Sequence, residues 1–222
     1  MFSIVIPVLH ADPQLRRALS AITETDRECE VVIVAAGSIE ETAELASLHR
    51  ASFLVAGVCQ RAAQMNLGAQ TSAGDILVFL HADTLLPKGA LERIESGLRD
   101  KRVIGGAFAR RYEPASAFLN ATCFLAELRS RMFGWFLGDQ AMFVRRDVFE
   151  RLGGFRNYDI FEDLDFARRM RREGRVVTLR PPVISSARRF QSDGAYRKTL
   201  ADVWLTLRYV CGADPNQLAL ED

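Results

Sequence analysis

Two acidic segments and a scatter of arginines are the residues of this 222-residue chain best suited to chemistry. Leu80-His81-Ala82-Asp83-Thr84 closes the most apolar run of the sequence, Ile76 to Leu80. A carboxylate just past such a run can hold Mg²⁺ or Mn²⁺ against a diphosphate, because those ions prefer hard oxygen ligands. The same place equally suits a helix cap, with Asp83 or Thr84 satisfying the next helix's first amides. Phe161-Glu162-Asp163-Leu164-Asp165 precedes a strongly charged helix. Carboxylates there meet the positive end of the helix dipole. One that faced a cleft, partly dehydrated by Ile160, Phe161 and Leu164, could take a proton from an incoming hydroxyl. Arg61 opens a helix, and Arg188-Arg189 follow a late strand. Forked guanidinium groups suit phosphate, although most arginines are solvated. The run Arg168-Arg169, Arg171-Arg172 reads as the wet face of a helix, facing water or lipid headgroups.

The elements that must position these groups alternate along the first half. Ser3–Leu9, Glu30–Ala35, Ser52–Ala56 and Ile76–Leu80 are short apolar runs with the character of buried strands. Between them lie a helix capped by Asp12 with Pro13 at its first position and Leu15, Ala18, Leu19 and Ile22 as its stripe, a helix opened by a Ser38/Glu41 capping box, and Arg61–Gln70. Pro87–Leu98 continues the pattern. The expected fold is α/β, a Rossmann-like mixed and mainly parallel sheet with helices on both faces. Such sheets bind ligands outside the carboxyl ends of their strands, which singles out His10, Gly37-Ser38 and His81 to Thr84. The second half is less regular. Strands are expected at Val103–Arg111, Gln140–Arg145, Val176–Leu179 and Val183–Ser186, with helices at Ala115–Phe136, Asp147–Leu152, up to Glu173, and Asp193–Cys211.

Composition narrows the classes. With 49% hydrophobic and 26% charged residues the chain is ordinary globular material. Twenty-nine basic against 28 acidic side chains leave a net charge of +1, which provides no field for nucleic acid. The cysteines Cys29, Cys59, Cys123 and Cys211 are too scattered for a zinc site, and reduced thiols fit a cytoplasmic location. No charge-free stretch reaches the roughly 18 residues a membrane span needs. The chain is expected to be soluble or to rest on the cytoplasmic face of a membrane. A dinucleotide fingerprint, a P-loop and a nucleophile elbow are all missing from the sequence.

An Asp after a central strand, a downstream Glu-Asp pair and phosphate-capable arginines, in that order, resemble the inverting nucleotide-sugar glycosyltransferases of family 2, with the GT-A fold. Ser3 to Val8 is similar to the family's opening strand, and Gly74 to Asp83 to its D-x-D segment. Gly138-Asp139-Gln140, Gly153-Gly154-Phe155 and Glu162-Asp163 follow in register. More narrowly, Arg61-Ala62-Ala63-Gln64-Met65-Asn66 and Ser186-Ala187-Arg188-Arg189 resemble a bacterial subgroup described as radical-SAM/selenodomain-associated. The resemblance implies that Asp83 contacts the divalent metal (Mg²⁺ or Mn²⁺) and the sugar-nucleotide diphosphate. It implies that Asp163 is the general base with Glu162 beside it, and that Pro7, Val8, Arg61, Arg188 and Arg189 bind the donor. One domain is implied over 1–222: a nucleotide-sugar-binding half to residue 100, an acceptor and catalytic half to 190, and a final amphipathic helix and tail. The sequence departs from the family at His10-Ala11, at Ala35 and at His81, where Asn-Glu and two aspartates are usual. A sugar-nucleotide-binding or partner-binding module without turnover, and a related nucleotidyltransferase, remain as alternatives.

The last helix places Val203, Trp204, Leu207, Val210 and Cys211 on one face, with Arg197, Lys198 and Arg208 at its border. Most such helices pack on their own domain. Peripheral contact with a membrane or a partner is the other expectation.

Overall fold

Alternation along the first strand sets the layers. In β1 (Phe2–Val8), Ile4, Ile6 and Val8 enter one core while Val5 enters the other. The computed structural model describes residues 1–9, 11, 13–23 and 27–221, so the expectations for His10 and the Asp12 cap lie outside the described residues. β2 (Cys29–Ala35), β3 (Ser52–Val55) and β4 (Ile76–Phe79) follow, separated by helices α1 (Pro13–Thr23), α2 (Ile39–Leu48) and α3 (Arg61–Thr71). β1 pairs in parallel with β2 and β4, and β2 with β3. Leu15, Ala18, Leu19 and Ile22 are the buried face of α1, as their spacing requires. Helix α3 lies directly on the sheet because Gly68 has no side chain. A Cβ there would stand 2.4 Å from Val5 Cγ1.

The remaining elements are β5 (Thr84–Leu85), α4 (Ala90–Gly97), β6 (Val103–Glu113), α5 (Ala117–Phe133), β7 (Met142–Arg145), α6 (Arg146–Arg151), α7 (Glu162–Glu173), β8 (Arg175–Ser186), α8 (Arg188–Asp193), α9 (Ala195–Val210) and α10 (Pro215–Leu218). Among the described residues the strands form a sheet of order β3-β2-β1-β4-β7-β6-β8-β5. β7 runs antiparallel to β4 and β6, β5 runs antiparallel to β8, and the other pairs are parallel. Helices cover both faces: α1 and α4 pack on one core, while α3, α6 and α7 pack on the other.

Four local expectations need correction. Ser38 has φ 45° and makes no side-chain cap. A cap hydroxyl needs an extended backbone, and here the Ser38 carbonyl accepts from the Thr42 amide and hydroxyl instead. Val176–Leu179 and Val183–Ser186 are one strand, β8. The intervening Arg180-Pro181-Pro182 bulges out between Leu179, opposite Phe108, and Val183, opposite Arg110, where a missing amide costs no ladder bond. Helix α4 starts at Ala90 because Gly89 adopts φ 68° before it. Asp193 ends α8 and does not open the last helix; Gly194 at φ 80° separates the two.

Candidate active site

Helix α3 organises the site from beneath. Gln64, nearly fully buried, donates through Nε2 to the carbonyls of Val8 (3.0 Å) and Val34 (2.7 Å), tying together the carboxyl ends of β1 and β2. Two residues on, Asn66 grips both backbone groups of Phe155: its Nδ2 donates to the carbonyl at 2.8 Å, and its Oδ1 accepts the amide at 2.9 Å. Gln60 holds Asp159 at 3.1 Å. The Arg61–Asn66 segment therefore fixes the loop that delivers α7. It does so on the side where the parallel strands end.

The first two residues of α7 are the acidic pair. Phe161 precedes them with φ 63°, a left-handed turn that directs the helix start inward. Glu162 is 1% exposed and pairs with Arg61 at 3.1 Å. Asp163 is 8% exposed; its Oδ2 accepts the Gly138 amide and its Oδ1 the Leu164 amide, each at 2.5 Å. Burial pushes the Glu162 carboxyl up, to about 7, with the Asp163 charge adding and Arg61 opposing. Burial likewise raises Asp163, against Arg61 and the two amides. Two buried carboxyl groups beside one guanidinium thus titrate as a pair above the ordinary carboxylate range.

Facing them is a second ion pair that the sequence reading did not assign. Asp139 accepts from Arg110 Nη1 at 2.7 Å and from the Tyr112 hydroxyl at 2.9 Å. Burial pushes its carboxyl up, but Arg110 and these hydrogen bonds outweigh that and hold it below its usual value. Arg110 and Tyr112 share a parity in β6, so strand periodicity would have grouped them. Arg129 of α5 turns its Nε and Nη2 into the protein, where neither has a hydrogen-bond partner among the described residues. Burial and the Arg110 charge pull it down to about 10, while Asp139 and Asp163 act in the opposite sense. His81 is similarly enclosed, with an unpartnered Nε2, and burial and Arg61 push it down to about 3, so it is a neutral imidazole. Its ring occupies the space above Gly138: a Cβ on that glycine would be 2.2 Å from Nε2.

The remaining candidates lie around this centre. Asp83 follows β4 and lines a small cleft with Glu113, Ser185 and Ser186, and its carbonyl accepts the Ser186 amide. The carboxylates of Glu162, Asp163 and Asp83 all act on Arg61, which links the acidic pair to the β4 end. Val8 is buried and Pro7 half-buried at the end of β1. Arg188 and Arg189 are exposed at the start of α8, and the Arg189 charge reaches His81. The oxygen donors around Asp83 suit Mg²⁺ or Mn²⁺. Among the described residues no three His, Cys, Asp or Glu side chains are grouped to hold a metal. An ion at Asp83 would therefore complete its shell with diphosphate oxygens and water, the usual arrangement for Mg²⁺.

The comparisons agree with this architecture. Residues 1–349 of TarS from S. aureus superpose with a TM-score of 0.68 at 13% identity, over 84% of this chain and 60% of that one. The mannosyltransferase PcManGT from Pyrobaculum calidifontis, in complex with GDP-Man and Mn²⁺, gives 0.65 at 23% identity over 83% and 56%. TarS 1–349 in complex with UDP-GlcNAc gives 0.64 at 14% identity over 83% and 58%. The chain thus spans less than two thirds of the length of these structures, and the likeness is one of fold. A comparison with curated proteins gives no match. Residues 3–153 match the family described as glycosyl transferase family 2, more than half of the chain. The fold is the mainly parallel α/β sheet of the GT-A architecture, and the chain belongs to glycosyl transferase family 2.

Proposed function

We propose that the protein moves a sugar from a nucleoside-diphosphate sugar to a hydroxyl acceptor, with inversion at the anomeric carbon and Asp163 as the base. The observation that carries this reading is the buried Glu162–Asp163 pair, clamped by Arg61 and Gly138 where the parallel strands end. Each Asp163 oxygen accepts one amide, which leaves lone pairs free for the acceptor proton. As that proton moves to Asp163, the acceptor oxygen forms its bond to the anomeric carbon from the face opposite the leaving group. The bond from that carbon to the diphosphate oxygen breaks, and the nucleoside diphosphate departs with the electron pair. Arg61, Arg188 and Arg189 are the cations assigned to the departing phosphates. The strand end at Pro7 and Val8 is assigned to the nucleotide. Asp83 would hold the divalent ion, which supplies Lewis-acid stabilisation of the diphosphate when bound. Neutral His81 and the Arg110–Asp139 pair are assigned to keep Gly138 and Asp163 in place.

A sugar-nucleotide-binding module without turnover is the second reading, favoured by Ala35, fully buried at the end of β2 where the family usually places an aspartate. Calorimetric titration against UDP, GDP and other nucleoside diphosphates, with and without Mn²⁺, tests the donor site. We expect metal-dependent binding of one nucleotide, lost in Asp83→Ala with the fold intact. Affinity and metal dependence that survive Asp83→Ala would overturn the assignment.

A further inference from the structure

The two helices flanking the site leave their outer faces bare. On α5, Phe124, Leu128 and Met132 recur at helical spacing, and Phe124 is 66% exposed. On α9, Leu200, Trp204 and Leu207 do the same, at 70%, 61% and 54%. Only Lys198 and Leu205 of that 16-residue helix are buried. The expectation that its apolar face packs on its own domain therefore fails for Val203, Trp204 and Leu207. The two helices meet at one end and are bridged by α7 at the other. Phe118 and Tyr196 are in ring contact at 4.1 Å, and at the far end the Arg168 guanidinium lies over both Trp135, just past α5, and Tyr209.

The charge beside this surface is one-sided. Arg156, Arg168, Arg169 and Arg172 line a cavity of about 220 Å³ with Tyr158, Tyr209 and a single acid, Asp165. Asp165 is already engaged by Arg156 and Arg169. Three acids on or next to the two helices are likewise paired, Glu127 with Arg131 and Arg180, Asp202 with Lys198, and Glu221 with Arg208, while Asp214 caps α10. The chain as a whole carries only +1, so the excess is local. Exposed Trp and Leu beside an arginine cluster of one sign are the make-up of a helix that lies on an anionic lipid surface. No helix among the described residues is long and apolar enough to cross a membrane.

We propose that the exposed faces of α5 and α9 dock on an anionic lipid surface, with the arginine-lined cavity of α7 taking headgroup phosphate. Docked in this way, the protein meets its acceptor at headgroup level, since Phe161, the residue before Glu162, stacks on Tyr209 of α9 at 5.0 Å.

The test is co-sedimentation of the full chain with phosphatidylcholine vesicles, with and without phosphatidylglycerol, at low and high salt. We expect pelleting only with phosphatidylglycerol, weakened by salt. Leu200→Glu with Trp204→Glu should abolish pelleting, and Arg168→Ala with Arg172→Ala should weaken it at least several-fold. These side chains are exposed or half-exposed, and circular dichroism checks that each variant remains folded. Failure to pellet with anionic vesicles at low salt would overturn the proposal. So would unchanged pelleting of the Leu200/Trp204 variant, or a dimer that Trp204→Glu dissociates, which would assign the face to a second copy. No turnover enters these measurements, so their outcome is separate from that of the transferase reading.

Discussion

The Gly138 amide donates to Asp163 Oδ2 at 2.5 Å while the His81 ring fills the space where a side chain on residue 138 would sit. A Cβ there would fall 2.2 Å from His81 Nε2 and 3.2 Å from Asp163 Oδ2. Gly138→Ala must therefore displace the imidazole and crowd the carboxylate. Overpacking of this kind costs about 1–3 kcal/mol. The expected result is a lower Tm and at least a ten-fold loss of transfer with nucleotide binding retained. Thermal melts and turnover on the same preparation check it.

Asn66 should matter to the site without touching it. Asn66→Ala leaves the amide and carbonyl of buried Phe155 without their partner, a loss of about 2 kcal/mol or more at ~1–3 kcal/mol per unsatisfied buried group. Chemical denaturation should show that loss with an unchanged m-value. Transfer should fall as well, because the released loop carries Glu162 and Asp163. Wild-type stability would remove the clamp role assigned here to α3.

Much of this was legible in the residue pattern. The α1 stripe, the parallel run from β1 to β4 and the place of Glu162 and Asp163 at a helix start follow from periodicity and dipole arguments, and they hold, whereas the burial of both carboxyl groups follows from neither. Ser116 and Gly134, which cap α5 at its two ends, were visible signals that the expected Ala115–Phe136 helix overran. The Ser38 backbone and the β8 bulge were not legible, since both depend on what tertiary neighbours demand of the chain. The same is true of the Arg110–Asp139 pair. Its members are 29 residues apart, and only the β6–β7 pairing brings them together. Arg61, which the resemblance assigns to the donor, also pairs with Glu162, a partner that its spacing in the sequence does not announce.

The pH dependence follows from the pair. Glu162 has a folded value near 7 against 4.5 for a free side chain, so folding takes up a proton between those limits. Its contribution to stability is present below about 4.5 and is lost as pH rises towards 7. Glu162→Gln should flatten that part of the stability profile. In turnover, the acid limb of kcat/KM should lie above the ordinary carboxylate range in the wild type, because Asp163 is raised. With glutamine at 162 the neighbouring charge is gone and Arg61 turns to Asp163 alone, so the limb should shift to lower pH. A limb that stays in place would separate the two carboxyl groups.

The central claim is that Asp163 removes the acceptor proton, and slow hydrolysis of the donor, with water as acceptor, tests it without knowledge of the natural acceptor. Single-turnover release of nucleoside diphosphate would be followed for wild type, Asp163→Asn and Glu162→Gln, using the sugar nucleotide whose diphosphate binds in titration. The account predicts that Asp163→Asn keeps diphosphate affinity and loses roughly 10²-fold or more in rate, the size of a general-base contribution, with a smaller loss for Glu162→Gln. Near-wild-type release by Asp163→Asn, or the larger loss at Glu162, would contradict it.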